Sequence, residues 1–206
     1  MSVDYPVSLK IDYPDRKLNR LTSFFRIFTV IPILIVLLLL VGSNFQMGSK
    51  EAGTVVSGVG LIMLPLVLML LFRQKYPKWW YDWNLNLSKF CYRVASYLYL
   101  MSDVYPSTDE EQNVQMEMPY PDAASLNRWL PLVKWFLAIP HIIVLCFLWI
   151  AALVVIIIAW FAILFTGKYP RGLFDFVLGV MRWGFRVMCY AMIMITDKYP
   201  PFALDT

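Results

Sequence analysis

The chain states one pattern twice, and any fold must give both copies the same structure. Tyr13-Pro14-Asp15, then Leu18-Asn19-Arg20, lead into an apolar run containing Pro32. The same signs return as Tyr120-Pro121-Asp122 and Leu126-Asn127-Arg128, ahead of an apolar run containing Pro140. Downstream, Phe72-Arg73-Gln74-Lys75-Tyr76-Pro77-Lys78 answers Phe165-Thr166-Gly167-Lys168-Tyr169-Pro170-Arg171. Asp82, Arg93, Val94 and Tyr97 then line up with Asp175, Arg186, Val187 and Tyr190, and both copies close on Asp-x-Tyr-Pro, at Asp103 and Asp197.

With 206 residues, 60% hydrophobic content and a mean hydropathy of +0.61, the chain is too apolar for an ordinary soluble domain. The apolar residues gather in three blocks, 21–41, 55–72 and 129–165. Runs of about 18 or more apolar residues are candidate membrane spans, because the hydrocarbon layer is roughly 30 Å thick. The third block, 37 residues, would be about 55 Å long as one helix, which overshoots a bilayer even when tilted. Two short antiparallel segments remove that problem. The offset between copies supports them: it falls from 108 residues (Arg20 to Arg128) to 93 (Phe72 to Phe165), so the second copy is about 15 residues shorter, close to the length of the polar loop Gly42 to Gly53.

With two hairpins, seventeen of the eighteen Lys and Arg residues fall on one face and only Lys50 on the other. This asymmetry puts both termini in the cytoplasm. Lys134 and its counterpart Arg26 belong to the basic face, in the leading turns of their hairpins. The first apolar run lacks the small-residue cleavage pattern of a signal peptide. Cys91, Cys146 and Cys189 have no metal-ligand spacing and read as small apolar fillers.

Val7 to Tyr13 and Val114 to Met118 alternate apolar and polar, which predicts two short strands, paired with each other in a cytoplasmic ribbon. After each hairpin comes a segment dense in Trp, Tyr, Lys and Arg, read as an amphipathic helix in the headgroup layer. A fifth span is the rival reading of the second such segment, at the cost of placing Arg182 and Arg186 inside the membrane. The expected fold is therefore an all-α membrane protein with two tandem repeats. Each is a transmembrane helical hairpin followed by an interfacial helix, with a short β-strand before each hairpin. Repeat 1 covers 1–106, with its hairpin at 21–72 and its interfacial helix at 77–103; repeat 2 covers 107–206, with the corresponding elements at 129–165 and 170–197.

Asp82 and Arg93 are eleven residues apart, as are Asp175 and Arg186, so acid and base share a helix face about 16 Å apart. Antiparallel packing of the two helices would pair Asp82 with Arg186 and Asp175 with Arg93. The alternative is contact of the arginines, with Arg182 and Trp183, to lipid headgroups. His141, the single histidine, follows Pro140 inside the third block and is an intramembrane polar candidate. Its expected state is a neutral ring bonded to a backbone carbonyl freed by a kink; a proton or ligand site is the alternative. No phosphate-binding loop, dinucleotide fingerprint, catalytic triad or zinc motif is present in the sequence.

The Tyr-Pro signs, Ile139-Pro140-His141, Gly167-Lys168-Tyr169-Pro170, Arg182-Trp183 with Arg186-Val187, and Asp197-Lys198-Tyr199-Pro200-Pro201-Phe202 resemble a bacterial integral membrane family labelled domain of unknown function 4389. The resemblance spans essentially the whole chain and is clearest in the second half. The first copy departs from it at Gln74, which stands for the glycine, and lacks Pro-His. It implies topology and bacterial origin, with no activity to carry over. The expected function is a non-catalytic scaffold or accessory subunit of the bacterial inner membrane, multi-pass, without cofactor or metal. Its expected partners are membrane lipids and either a membrane protein or further copies of itself, with no nucleic acid. A membrane-shaping hairpin protein and a small lipid or solute transporter component are the alternatives.

Overall fold

The structure is a computed structural model that describes residues 5–14, 17–41, 66–108, 110 and 112–205. It is mostly helical, with one small sheet. The elements are β1 (Ser8–Ile11), α1 (Arg20–Thr29), α2 (Ile31–Val41), a π-helical turn (Met69–Arg73), α3 (Lys78–Leu98), β2 (Val114–Glu117), α4 (Leu130–Thr166) and α5 (Arg171–Ala191).

The two alternating segments form the expected ribbon. β1 and β2 pair antiparallel, Ser8 opposite Glu117, Leu9 opposite Met116, Lys10 opposite Gln115 and Ile11 opposite Val114. Leu9, Ile11, Val114 and Met116 turn inward, while Lys10, Gln115 and Glu117 face solvent. A lone two-stranded ribbon is marginal in water. Here its apolar face joins the main core with Val177, Leu178, Met181, Phe185 and Cys189 of α5, and Arg182 Nε donates to Leu9 O at 2.9 Å.

Asn19 caps α1, its Oδ1 accepting from the Leu21 and Thr22 amides. The helix breaks at Val30 and resumes at Ile31, so the kink expected from Pro32 lies just before it, where the proline's missing N–H is harmless in the first turn of α2. The return half of the first hairpin is described only from 66 onward; its tip, the polar loop and Lys50 lie outside the described residues.

The second hairpin is not formed. Residues 130–166 make a single 37-residue helix, continuous through Pro140 and capped by Gly167 at φ 73°. The missing polar tip is the physical reason. From His141 to Thr166 the sequence holds no Gly, Asn or Pro to stop the ladder. Pro140 frees one carbonyl, which a long helix tolerates.

A second correction concerns α5. It is not a surface helix but the most central one, with Phe174, Val177, Val180, Phe185 and Tyr190 each at most 1% exposed. It runs back along α4 beneath the ribbon; Trp183 meets His141 and Trp135 Nε1 donates to Ala191 O at 2.8 Å. By contrast α3 exposes Trp79 and Trp83 and buries its other side against α2 and β2.

Candidate functional site

Among the described residues, two buried cations are paired with carboxylates, and they occupy matched sequence positions. Arg26, 2% exposed, sits in the last turn of α1. Its Nη1 donates to Tyr97 O and Ser102 O, both at 2.9 Å, and its Nη2 binds the Asp103 carboxylate. The guanidinium lies 4.5 Å from the Tyr97 ring centroid. Lys134, fully buried in the second turn of α4, donates to Thr196 O and pairs with Asp197, each at 2.8 Å, with the Tyr190 ring 5.2 Å away.

The carboxylates also serve the helix starts. Asp103 Oδ2 accepts from the Asn19 amide at 2.9 Å, and Asp197 Oδ2 accepts from the Asn127 amide. An anion there satisfies an orphan amide and complements the positive end of the helix. Each clasp therefore ties the start of an apolar helix to the chain leaving the amphipathic helix that follows it. Leu100 and Met194, just ahead of the two acids, both take positive φ, 66° and 60°.

Further matched contacts cross between the halves. Tyr13 OH donates to Tyr169 O, and Tyr120 OH to Tyr76 O at 2.6 Å. Leu18 N–H reaches Gly167 O at 2.9 Å, and Arg128 Nη2 reaches the Gln74 side chain at 2.9 Å. Gln74 holds φ 45° where its counterpart is Gly167 at φ 73°. Tyr92 and Phe185, also counterparts, meet edge to face at 5.5 Å where α3 crosses α5.

That crossing point explains why the expected pairs Asp82–Arg186 and Asp175–Arg93 do not form. Arg186 lies one residue from it, whereas Asp82 lies ten residues up α3, about 15 Å away. Asp82 and Asp175 are exposed, whereas Arg93 and Arg186 are buried. Arg93 is 6% exposed and donates to Ser107 O and Thr108 O; Arg186 is 1% exposed and donates to Ala203 O. Burial holds the Arg186 pKa below its ordinary value, Tyr5 opposing and Arg182 adding to the shift.

His141 is fully buried, and its partner is not a carbonyl. Trp183 Nε1 donates to His141 Nδ1 at 3.0 Å, so the neutral ring carries its proton on Nε2. Phe202 stacks on the imidazole at 3.9 Å and Tyr199 lies at 4.8 Å. Among the described residues Nε2 has no hydrogen-bond partner. These aromatics pin the last described stretch of the chain onto α4 and α5. Gly179 permits the approach: a Cβ there would meet Leu204 Cβ at 2.9 Å. Among the described residues no three His, Cys, Asp or Glu side chains gather as a metal site.

Residues 129–203 match the sequence model of a family described as Domain of unknown function (DUF4389). The DUF4389 match comprises α4, α5, the Lys134 clasp and the His141 aromatic nest, and stops short of the whole-chain span expected of the resemblance. No curated protein and no solved structure matches the chain.

The sequence pointed to His141 and Trp183 separately without joining them, and it missed the clasps. Their signals were present: the counterparts Arg26 and Lys134, and the repeated closing aspartates. What was hidden was that a cation inside an apolar helix reaches an acid more than 60 residues on.

Proposed function

We propose that the chain is a non-catalytic, membrane-embedded scaffold of the bacterial inner membrane, both termini cytoplasmic, that holds lipid and a membrane-protein partner. One observation carries the reading. Two helical stretches, Arg20–Leu38 and Leu130–Thr166, are long and apolar enough to cross a membrane, and only 22% and 17% of their apolar 18-residue windows are buried inside the protein. A soluble protein's core helix would be mostly covered. The buried polar groups support a structural role: the two clasps, Arg93, Arg182 and His141 all spend their bonds on holding segments together.

We read the two halves as duplicates about a pseudo-two-fold axis. Leu9 and Met116 are counterparts and also ribbon partners, and Tyr92 and Phe185 are counterparts that touch each other, so both pairs would sit on that axis. The crossed Tyr13–Tyr169 and Tyr120–Tyr76 bonds fit the same symmetry.

The test is fractionation followed by gentle extraction. A scaffold stays in the membrane after an alkaline carbonate wash and migrates in mild detergent with another membrane protein at fixed stoichiometry. Release by carbonate would contradict the membrane reading. Recovery as a lone chain that moves lipid or solute across proteoliposomes would contradict the scaffold reading.

A further inference from the structure

The long helix α4 poses a geometric problem whose solution concerns how the protein sits in lipid. At 37 residues it measures about 55 Å. Fitting that length across a hydrocarbon layer of about 30 Å needs a tilt near 57°, outside the 0–40° range of membrane helices. Unlike an ordinary span, it is also covered along its whole length on one side. Its buried positions, Lys134, Ala138, His141, Leu145, Ala152, Ala159 and Ile163, fall on a single stripe. Successive covers are the chain after α5 at Lys134, α5 itself at Trp135 and His141, and α1 at Trp160, whose Nε1 donates to Ser23 O at 3.1 Å.

Directly opposite that stripe, at about 100° per residue, lies an apolar ridge of Phe136, Phe147, Ile150, Val154, Phe161 and Phe165, each between 49% and 78% exposed. The solvent-facing side chains of the ribbon (Lys10, Gln115 and Glu117) sit beyond α5 on the far side of the molecule. Because Arg182 holds the Leu9 carbonyl while the next residue, Trp183, meets His141, the ribbon sits about 17 Å in from the N-terminal end of α4 rather than at its tip. Upright, α4 would carry those polar groups into the hydrocarbon. Laid flat, it places them in water and the ridge in lipid.

The ends of α4 supply the charge that a lipid surface attracts. Lys168 and Arg171 are exposed beyond its C-terminus, where Lys17 and Arg20 pack beside Gly167, and Arg128 is exposed just before its N-terminus. A second copy of the chain would bring the same basic ends against each other, whereas phosphate headgroups neutralise them.

We propose that α4 lies in the plane of the membrane within one leaflet, its ridge toward the bilayer centre and its basic ends at headgroup phosphates. The occupant of the exposed face is thus lipid acyl chain. This rests on the membrane reading above and replaces the spanning hairpin for 129–165. Both ends of the tract still share a compartment, as the hairpin required, but without a crossing. The apolar wedge then occupies one leaflet only, which expands that leaflet relative to the other.

The experiment is a depth profile. In the full chain with Cys91, Cys146 and Cys189 replaced by Ala, single cysteines are introduced as Phe136→Cys, Phe147→Cys, Val154→Cys and Phe165→Cys. Each is labelled with a fluorophore and reconstituted in phosphatidylethanolamine–phosphatidylglycerol vesicles carrying quenchers shallow or deep in the acyl chain. The outer sites are about 44 Å apart along the helix, so orientation dominates the result. A flat helix gives one shallow-to-deep quenching ratio, constant within about twofold over all four sites. A ratio that falls and then rises marks a hairpin, and a monotonic ratio marks a tilted span; either overturns the proposal. Variants that remain in vesicles after carbonate but give such a profile defeat the in-plane helix alone, whereas release of the unmodified chain defeats the membrane reading itself. Unchanged circular dichroism keeps a misfolded variant from being scored.

Discussion

Removal of Asp103 is the sharpest perturbation of the interior. In Asp103→Ala, Arg26 stays 2% exposed and keeps two carbonyl partners, but its charge loses the carboxylate and the Asn19 amide loses its acceptor. Breaking a buried pair by removing one member costs about 3–5 kcal/mol. The surviving carbonyl bonds hold the expected value near the lower end, about 3–4 kcal/mol. For a chain of this size that lowers the melting temperature by roughly 10 °C. Asp197→Ala should cost less, about 2–3 kcal/mol, because Asp197 is 26% exposed against 13% for Asp103, which outweighs Lys134 keeping only one carbonyl partner. The assay is thermal unfolding in one detergent, with Arg26→Met and the Arg26→Met, Asp103→Ala double variant completing a cycle. The double variant should lie well above the sum of the single losses, since no charge is stranded. A loss below about 1 kcal/mol for Asp103→Ala, or simple additivity in the cycle, would refute the clasp as a buried ion pair.

Other outcomes follow from the same geometry. Gly179→Ala drives a Cβ to 2.9 Å from Leu204, so limited proteolysis should release the segment after Phe202 while α5 stays protected. Gly167→Ala should cost about 1–2 kcal/mol in thermal unfolding because φ is 73° there, whereas Gln74→Gly, at φ 45°, should be neutral or stabilising by about 0.5 kcal/mol. His141→Phe leaves the Trp183 indole N–H without its acceptor, lowering stability by about 1–3 kcal/mol and shifting tryptophan emission. Cys189 is fully buried and burial pushes its thiol pKa well up, so maleimide should leave it unmodified in the folded protein and modify it on denaturation.

Much of the architecture was legible because it depends on periodicity and punctuation. The alternation in Val7 to Tyr13 and Val114 to Met118 gave the ribbon and its partner, and Pro77 and Pro170 marked the starts of α3 and α5. Two errors share a cause. The hairpin at 129–165 was inferred from bilayer thickness, which constrains a helix only if it must cross; lying flat, α4 needs no turn. The interfacial reading of α5 rests on its counterpart α3, although α5 is the more apolar of the two and buries Val177, Val180 and Val187. The site was least legible. An eleven-residue Asp-to-Arg spacing is visible in one dimension, but which residues meet is set by where α3 and α5 cross, at Tyr92 and Phe185.

The claim that both ends of α4 share the cytoplasmic side of the membrane is open to one direct measurement. Single cysteines at Ser125→Cys and Asp175→Cys, both exposed positions flanking α4, are probed in intact cells with a membrane-impermeant maleimide. Both should resist labelling until the inner membrane is permeabilised and then react at similar rates. Labelling of either from the outside of intact cells, with the other protected, would put the ends of α4 on opposite faces and contradict the account.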